Sequence, residues 1–312
     1  MKKLKRILLG VVVMLVAVVT AACANKSTGA NSKDYTPKSL TVEFVPSIAA
    51  NKLEGRAKPL EKMLSAKLGI PVHVLVSTSD NALMEAMKSK KVDVGFLPPD
   101  GYVVAHKQGA ADVLLQSERF DIKQPGGRWT KTLTKSFRAE IVAKKNSKIK
   151  SWKDLKGKSI SIQSPTSTAG YIYPIAELKE KGLDVPKSCK LVTVTGHDQA
   201  VLNVLNGDTD AAFVFEDARN KVLKDYPKIM SQVVPIYFTK ARIPNDTVSV
   251  IPNMSKKFQK KLAQAFIDIS KTKKGHALIE QVYAHEGYVP AKDSDFDTVR
   301  KYEKIVKDMQ NN

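Results

Sequence analysis

Between residues 40 and 100 short apolar runs alternate with longer amphipathic ones, and this rhythm constrains the fold more than any other feature of the chain. Leu40-Thr-Val-Glu-Phe-Val45 alternates apolar and polar residues, the period of a strand. Leu53, Ala57, Leu60, Leu64 and Leu68 then recur at helical spacing, and Gly69 stops the run. Val72-His-Val-Leu-Val76 predicts a second strand, Leu83, Ala86 and Met87 a short helix, and Val92-Asp-Val-Gly-Phe96 a third strand. Strand, helix, strand, helix, strand is a doubly wound α/β unit, and ligands of such sheets bind beyond the carboxyl ends of the strands. Those ends carry Ser47, Ser79 and Asp100.

A second α/β set follows. Val113–Gln116 reads as a strand, and residues 120–135, with Pro125-Gly-Gly127, as a loop or hairpin. Strands are predicted at Arg138–Ala143, Ser159–Ile162, Leu191–Thr195, Asp210–Phe215, Gln232–Phe238 and Thr247–Ile251. Pro235 makes its run an edge or bulged strand, because proline has no N–H to give to a ladder. The tail from Lys256 is helical, with breaks at Gly275 and at Gly287-Tyr-Val-Pro290. A chain of 312 residues with this pattern suggests two domains.

The first residues concern targeting rather than fold. Lys2, Lys3, Lys5 and Arg6 precede an apolar run from Ile7 to Ala22, the pattern of a signal peptide over residues 1–22. The run ends Val19-Thr-Ala-Ala-Cys23, which resembles a bacterial lipobox, with Thr20 where that motif prefers Leu. The resemblance implies cleavage before Cys23, a lipid on its thiol and an address on the outer face of the cell membrane. Residues 23–39 are small and polar, a flexible tether. The chain has two cysteines, so Cys189 is left without a disulfide partner and reads as a small core residue. The five histidines lack metal-ligand spacing, so neither metal nor cofactor is expected. The formal net charge is +20, but the lysines are spread along the chain with no aromatic-studded basic block. They read as solvated faces that favour anions, not as a nucleic-acid surface.

The stretch Gln163-Ser-Pro-Thr-Ser-Thr-Ala-Gly-Tyr-Ile-Tyr-Pro174 joins a strand to a helix without a bulky side chain in its turn. Small hydroxyl residues at such a junction cap the helix and leave its first N–H groups bare, which is an anion site. Pro174 limits the first turn, so a short turn from Ser167 and a second start at Pro174 are expected. His197, Glu216, Asp217 and Asp246 also lie at strand ends, where each could equally cap a helix or turn.

Ser167-Thr-Ala-Gly-Tyr171, Gly196-His-Asp-Gln-Ala-Val201, Asp210-Ala-Ala-Phe-Val-Phe215 and Ile243-Pro-Asn-Asp-Thr-Val248, in this order, resemble the phosphate, phosphite and phosphonate-binding proteins of ABC importers. Trp152-Lys-Asp-Leu-Lys-Gly-Lys158 and Lys91-Val-Asp-Val-Gly95 fit the same family. The resemblance implies a type II periplasmic-binding fold with a two-strand hinge. Lobe 1 would comprise residues 40–137 and 244–312, lobe 2 residues 138–243. It implies a monomer that delivers a phosphorus oxyanion to a permease and its ATPase. Ser167, Thr168 and Ala169 would hold the oxyanion, His197 would donate to it, and Glu216 and Asp246 would hold a ligand ammonium. Where aminophosphonate binders carry an aromatic after the third strand, this chain has Leu97-Pro98-Pro99, and Tyr102 is the nearest substitute. Two other readings stay open: the same fold binding a sulfonate or nitrate, and a lipid-anchored phosphoester hydrolase.

Overall fold

The computed structural model describes residues 34–311 apart from 46–49, 125 and 217. The expected signal peptide, Cys23, most of the expected tether, Ser47 and Asp217 therefore lie outside the described residues. The first unit opens with β1 (Leu40–Phe44), α1 (Ala50–Ala57), α2 (Pro59–Leu68) and β2 (Val72–Val76). It continues with α3 (Asp80–Lys88), β3 (Val94–Leu97), α4 (Pro99–Lys107) and the long β4 (Asp112–Lys123). Gly69 ends α2 in the left-handed region (φ 70°), where a side chain would be strained. Ser79 caps α3 by accepting the N–H of Ala82 at 3.1 Å.

β5 (Arg128–Thr134) folds back on β4, so residues 120–135 form a hairpin arm. The short β6 (Ser136–Phe137) then leads into the second unit: β7 (Ala139–Lys144), β8 (Ser159–Ile162), α5 (Tyr173–Glu180), β9 (Lys190–Thr193), α6 (His197–Asn206), β10 (Ala211–Phe215) and β11 (Val233–Phe238). β12 (Ile243–Pro244) returns to the first unit, completed by β13 (Thr247–Val250), α7 (Lys256–Ser270), α8 (Lys273–Tyr283), β14 (Gly287–Pro290) and α9 (Asp297–Gln310).

The strands make two mixed sheets, one in each lobe of a type II periplasmic-binding-protein-like fold. The first runs β14-β4-β13-β3-β1-β2, with β5 added to β4. The second runs β11-β7-β10-β8-β9. β6 and β12 pair with each other as an antiparallel ribbon where the chain crosses between lobes. β11 lies at the edge of its sheet and its register slips between Pro235 and Tyr237, so the proline obtains both an edge and a bulge.

Aromatic stacking fixes the first core. Phe44 lies flat against Phe96, with centroids 4.2 Å apart, and Phe266 of α7 meets Phe96 edge-on. All three are nearly inaccessible, and truncating any of them to alanine costs about 3–5 kcal/mol. Gly275 lies in the first turn of α8, where a Cβ would come within 2.0 Å of the Ile269 carbonyl oxygen. The helical tail breaks just before it, at residues 271–272, and its missing side chain allows α7 and α8 to fold back on each other. Gly287-Tyr-Val-Pro290, expected as a second break, is the strand β14, stabilised by pairing with β4. The last helix also departs from expectation. α9 packs against α4, but it reaches α5 of the second lobe as well: Tyr302 meets Tyr173 edge-on and Lys301 pairs with Glu180 at 2.7 Å.

Candidate ligand-binding cleft

In the first lobe β1, β2 and β3 run parallel, so Val45, Ser77–Ser79 and Pro98–Asp100 leave the sheet at one end. β13 is antiparallel to β3 and pairs Thr247 with Leu97, which brings Asp246 to that end. In the second lobe β9 and β10 flank β8 in parallel, so Gln163, Val194–His197 and Glu216 leave together. The antiparallel β7 adds Arg138 beside them. A cavity of about 500 Å³ lies between these ends and takes walls from both lobes. Phe96, Pro98, Arg119 and Asp246 line it from the first, His197, Phe215 and Lys221 from the second.

His197 begins α6 immediately after Gly196, whose φ of 94° suits glycine alone. The imidazole stands edge-on to Phe215, with centroids 4.6 Å apart. Burial, helped by the ammonium of Lys221, holds its pKa down to about 4. The ring is therefore neutral at physiological pH, with one nitrogen donating and the other accepting. Its Nδ1 is buried and has no partner among the described residues.

The turn after β8 sits beside this histidine. Gln163 accepts the N–H of Gly196 at 3.1 Å and donates to the Gly196 carbonyl at 3.3 Å, which locks the two strand ends together. Ser167 accepts the N–H of Gly170 at 3.1 Å as a cap. The backbone then makes one wide turn over Thr168–Ile172, closed by the N–H of Tyr173 on the Thr168 carbonyl. α5 starts afresh at Tyr173 with Pro174 in its first turn, where a missing N–H costs nothing. Thr168 and Ala169 are buried and Ser167 is partly exposed. Gly170 is required here because a Cβ would come within 2.2 Å of Gln163 Cγ.

The two carboxylates each have an arginine. Glu216 is buried and takes the backbone N–H and the Nε of Arg138, both at 3.0 Å. Asp246 accepts from Arg119 at 3.1 Å and lies 3.2 Å from His285 Nε2. Burial acts to raise the Asp246 carboxyl, but His285 and the Arg119 charge outweigh it and hold the pKa below the usual range. The sequence offered these acids to a ligand ammonium; in the folded protein neither lacks a cation. Arg119 itself bridges Asp246 and the Tyr283 carbonyl, while its Nε is buried without a partner among the described residues.

Three first-lobe expectations read differently in the structure. Tyr102 is fully buried, packs at a tilt against Phe296 and donates its hydroxyl to Asp293 at 2.6 Å, so it does not reach the cleft. It lies within α4, and the side of that helix carrying it packs on the C-terminal segment. Ser79 is spent as the cap of α3. Asp100 stands in the first turn of α4, where burial, with the like charges of Asp80 and Glu303, raises its pKa to about 7. Cys189 donates its thiol to the Leu155 carbonyl at 3.2 Å, and burial raises its pKa.

Arg119 and Lys221 line the cleft, and Phe120 and Trp129 a cavity adjoining it, without having been singled out in the sequence. Arg119 and Phe120 lie on the continuation of β4, where the expected strand stops at Gln116. Alternation resumes over Arg119-Phe-Asp-Ile-Lys123, and it was the available signal. Among the described residues no group of three or more His, Cys, Asp or Glu is placed to hold a metal ion, and no helix is long and apolar enough to cross a membrane.

Residues 42–296 match the family described as ABC transporter, phosphonate, periplasmic substrate-binding protein. Over 220 residues the chain is 29% identical to the phosphate-import protein PhnD of Mycolicibacterium smegmatis, covering 67% of this chain and 65% of that protein. Among solved structures, XAC2383 of Xanthomonas citri superposes with a TM-score of 0.71 at 16% identity, over 88% of this chain and 99% of that one. PhnD1 of Prochlorococcus marinus, solved with methylphosphonate, gives 0.66 at 21% identity, over 87% and 99%. At these identities the superpositions speak for the fold.

Proposed function

The chain belongs to the phosphonate substrate-binding family of ABC transporters, and from that premise we propose that it captures a small phosphorus oxyanion between its lobes. One observation carries this reading: the unpartnered buried Nδ1 of His197 and Nε of Arg119 belong to side chains that line one cavity from opposite lobes. A buried polar group without a partner costs about 1–3 kcal/mol. An oxyanion with several acceptor oxygens would satisfy a neutral imidazole N–H and a guanidinium together. The Ser167 turn and the first N–H groups of α6 would add neutral donors on the second-lobe side.

Capture is by closure. The second lobe holds the anion first, and the first lobe swings onto it about the β6–β12 ribbon. The closed form then docks on a membrane permease with its ATPase. A lipid on Cys23 would hold the protein at the outer face of the membrane, as a monomer and without chemistry on the ligand. A sulfonate or nitrate would fit the same donors, because Glu216 and Asp246 are already neutralised and do not select for a proton on the ligand.

The test is a thermal-shift panel with phosphite, phosphate, methylphosphonate, 2-aminoethylphosphonate and an alkylsulfonate. Ligand at 100 times its dissociation constant adds about 2.7 kcal/mol, roughly 2 °C per kcal/mol for a chain of this length. A larger shift with a phosphorus compound than with sulfonate supports the reading. A shift with sulfonate alone overturns it.

A further inference from the structure

The cleft continues past Arg119 and Phe215 into a second cavity of about 540 Å³, and its far wall is aromatic. Phe120 and Trp129 come from the β4–β5 arm, and Phe215 closes the side shared with the first cavity. A pocket of about 90 Å³ between Trp129, Phe120 and Glu216 extends this wall toward the ribbon. Trp129 lines this cavity and is 49% exposed, a large apolar residue left half uncovered. Single exposed apolar residues are ordinary; this one faces two others across a space that opens onto the anion donors.

Most acids at this end already have a partner, Glu280 excepted, and a lysine lies among them. The Asp246 and Glu216 carboxylates are held by Arg119 and Arg138. Glu286, on the rim, lies 2.7 Å from His276 Nε2. Glu280 is exposed, and Lys221 lines the same cavity with its ammonium 5.6 Å from the Phe215 centroid.

We propose that Phe120, Trp129 and Phe215 form a second subsite for an apolar or aromatic group carried on the phosphorus, so that the preferred ligand is an organophosphonate or phosphate monoester without an amine. This rests on the oxyanion reading above. Arg119 and Phe215 border both cavities, so one small molecule spans them with its oxyanion toward His197 and its organic group toward Trp129. The arm thereby supplies the aromatic contact that Leu97-Pro98-Pro99 does not.

Calorimetric titration of the purified protein with phenylphosphonate, methylphosphonate and 2-aminoethylphosphonate tests this. Phenylphosphonate is expected to bind about tenfold tighter than methylphosphonate, the scale of one well-placed aromatic contact. 2-Aminoethylphosphonate should bind no tighter than methylphosphonate. Trp129→Ala, at a half-exposed site, should abolish the phenyl preference and leave methylphosphonate affinity unchanged, and Trp129→Phe should restore most of it. Equal affinity for the phenyl and methyl compounds, or tightest binding of the amine, overturns the subsite while the oxyanion reading stands. Equal loss of both ligands in Trp129→Ala also overturns it. Binding of none of the three overturns the subsite, and if phosphite and phosphate titrated alongside also fail to bind, the oxyanion reading falls with it.

Discussion

Replacing Glu177 by alanine should cost about 3–5 kcal/mol and loosen the approach to the hinge. Glu177 lies on α5 and is 3% exposed. Its Oε2 accepts the Tyr237 hydroxyl at 2.6 Å and the Lys240 N–H at 2.9 Å. Its Oε1 accepts the Ala241 N–H at 2.7 Å and the Tyr302 hydroxyl at 3.2 Å. One carboxylate thus ties a second-lobe helix to β11, to the segment leading into β12 and to the C-terminal helix. A hydrogen bond to a charged acceptor contributes about 1.5–3 kcal/mol, and a buried donor left unpaired costs about 1–3. Lys240 is exposed, so its N–H finds water; Tyr302 is buried and does not. The four bonds sum to more than the forecast, but alanine also removes the cost of burying the charge. Thermal unfolding followed by circular dichroism should show the midpoint fall by roughly 6–10 °C at about 2 °C per kcal/mol. Glu177→Gln, which keeps the shape and some acceptors, should lose less. Tyr302→Phe, which removes one donor held at 3.2 Å, should lose about 1.5 kcal/mol, the low end of that range. A loss in Glu177→Ala no larger than in Tyr302→Phe would refute the reasoning, since the carboxylate would then not be organising the other three donors.

Two further predictions concern the cleft ends. Asp100 has its folded pKa raised to about 7 by burial, Asp80 and Glu303. A raised acid binds its proton more tightly folded than unfolded, so its contribution is full below the unfolded pKa near 4 and is lost as pH rises through 7. The protein should therefore be more stable at pH 5.5 than at pH 8, and Asp100→Asn should narrow that gap; melting at both pH values with an unchanged gap would exclude Asp100 as a source. Gly170→Ala places a Cβ 2.2 Å from Gln163 Cγ and 2.7 Å from its Cβ, a clash the side-chain end cannot relieve by rotation. A loss of about 1–3 kcal/mol is expected from overpacking, together with weaker anion binding as the Gln163–Gly196 bridge opens; wild-type affinity in a titration would separate the turn from the site.

The sequence made the scaffold legible wherever periodicity is local. The three parallel strands of the first lobe, the second start at Pro174 and the edge-and-bulge position of Pro235 follow from alternation, capping and proline chemistry alone. What it hid was made by partners far along the chain. β14 is a strand only because β4 is beside it, and the β4–β5 arm exists through pairing across residues 119–134. The cleft is less legible still. Glu216 and Asp246 were visible as strand-end acids, but Arg138 and Arg119, which neutralise them, carry no motif. Tyr102 was near the right strand end in sequence, yet the helical turn after it points the ring at Phe296, nearly two hundred residues away.

The strand order of the first sheet has a consequence for the order in which the protein can be assembled. β3 and β4, separated by a single helix in the sequence, are not neighbours; β13, residues 247–250, lies between them and pairs with both. The second lobe's strands all lie within residues 139–238 and are available to one another much sooner. A chain emerging from its N-terminus can complete its second sheet while the middle of its first is still missing. β3 and β4, made early, must each wait with one edge open for a segment made about 150 residues later, and such non-local pairing is slow. The lobe that begins the chain is thus the one that finishes it.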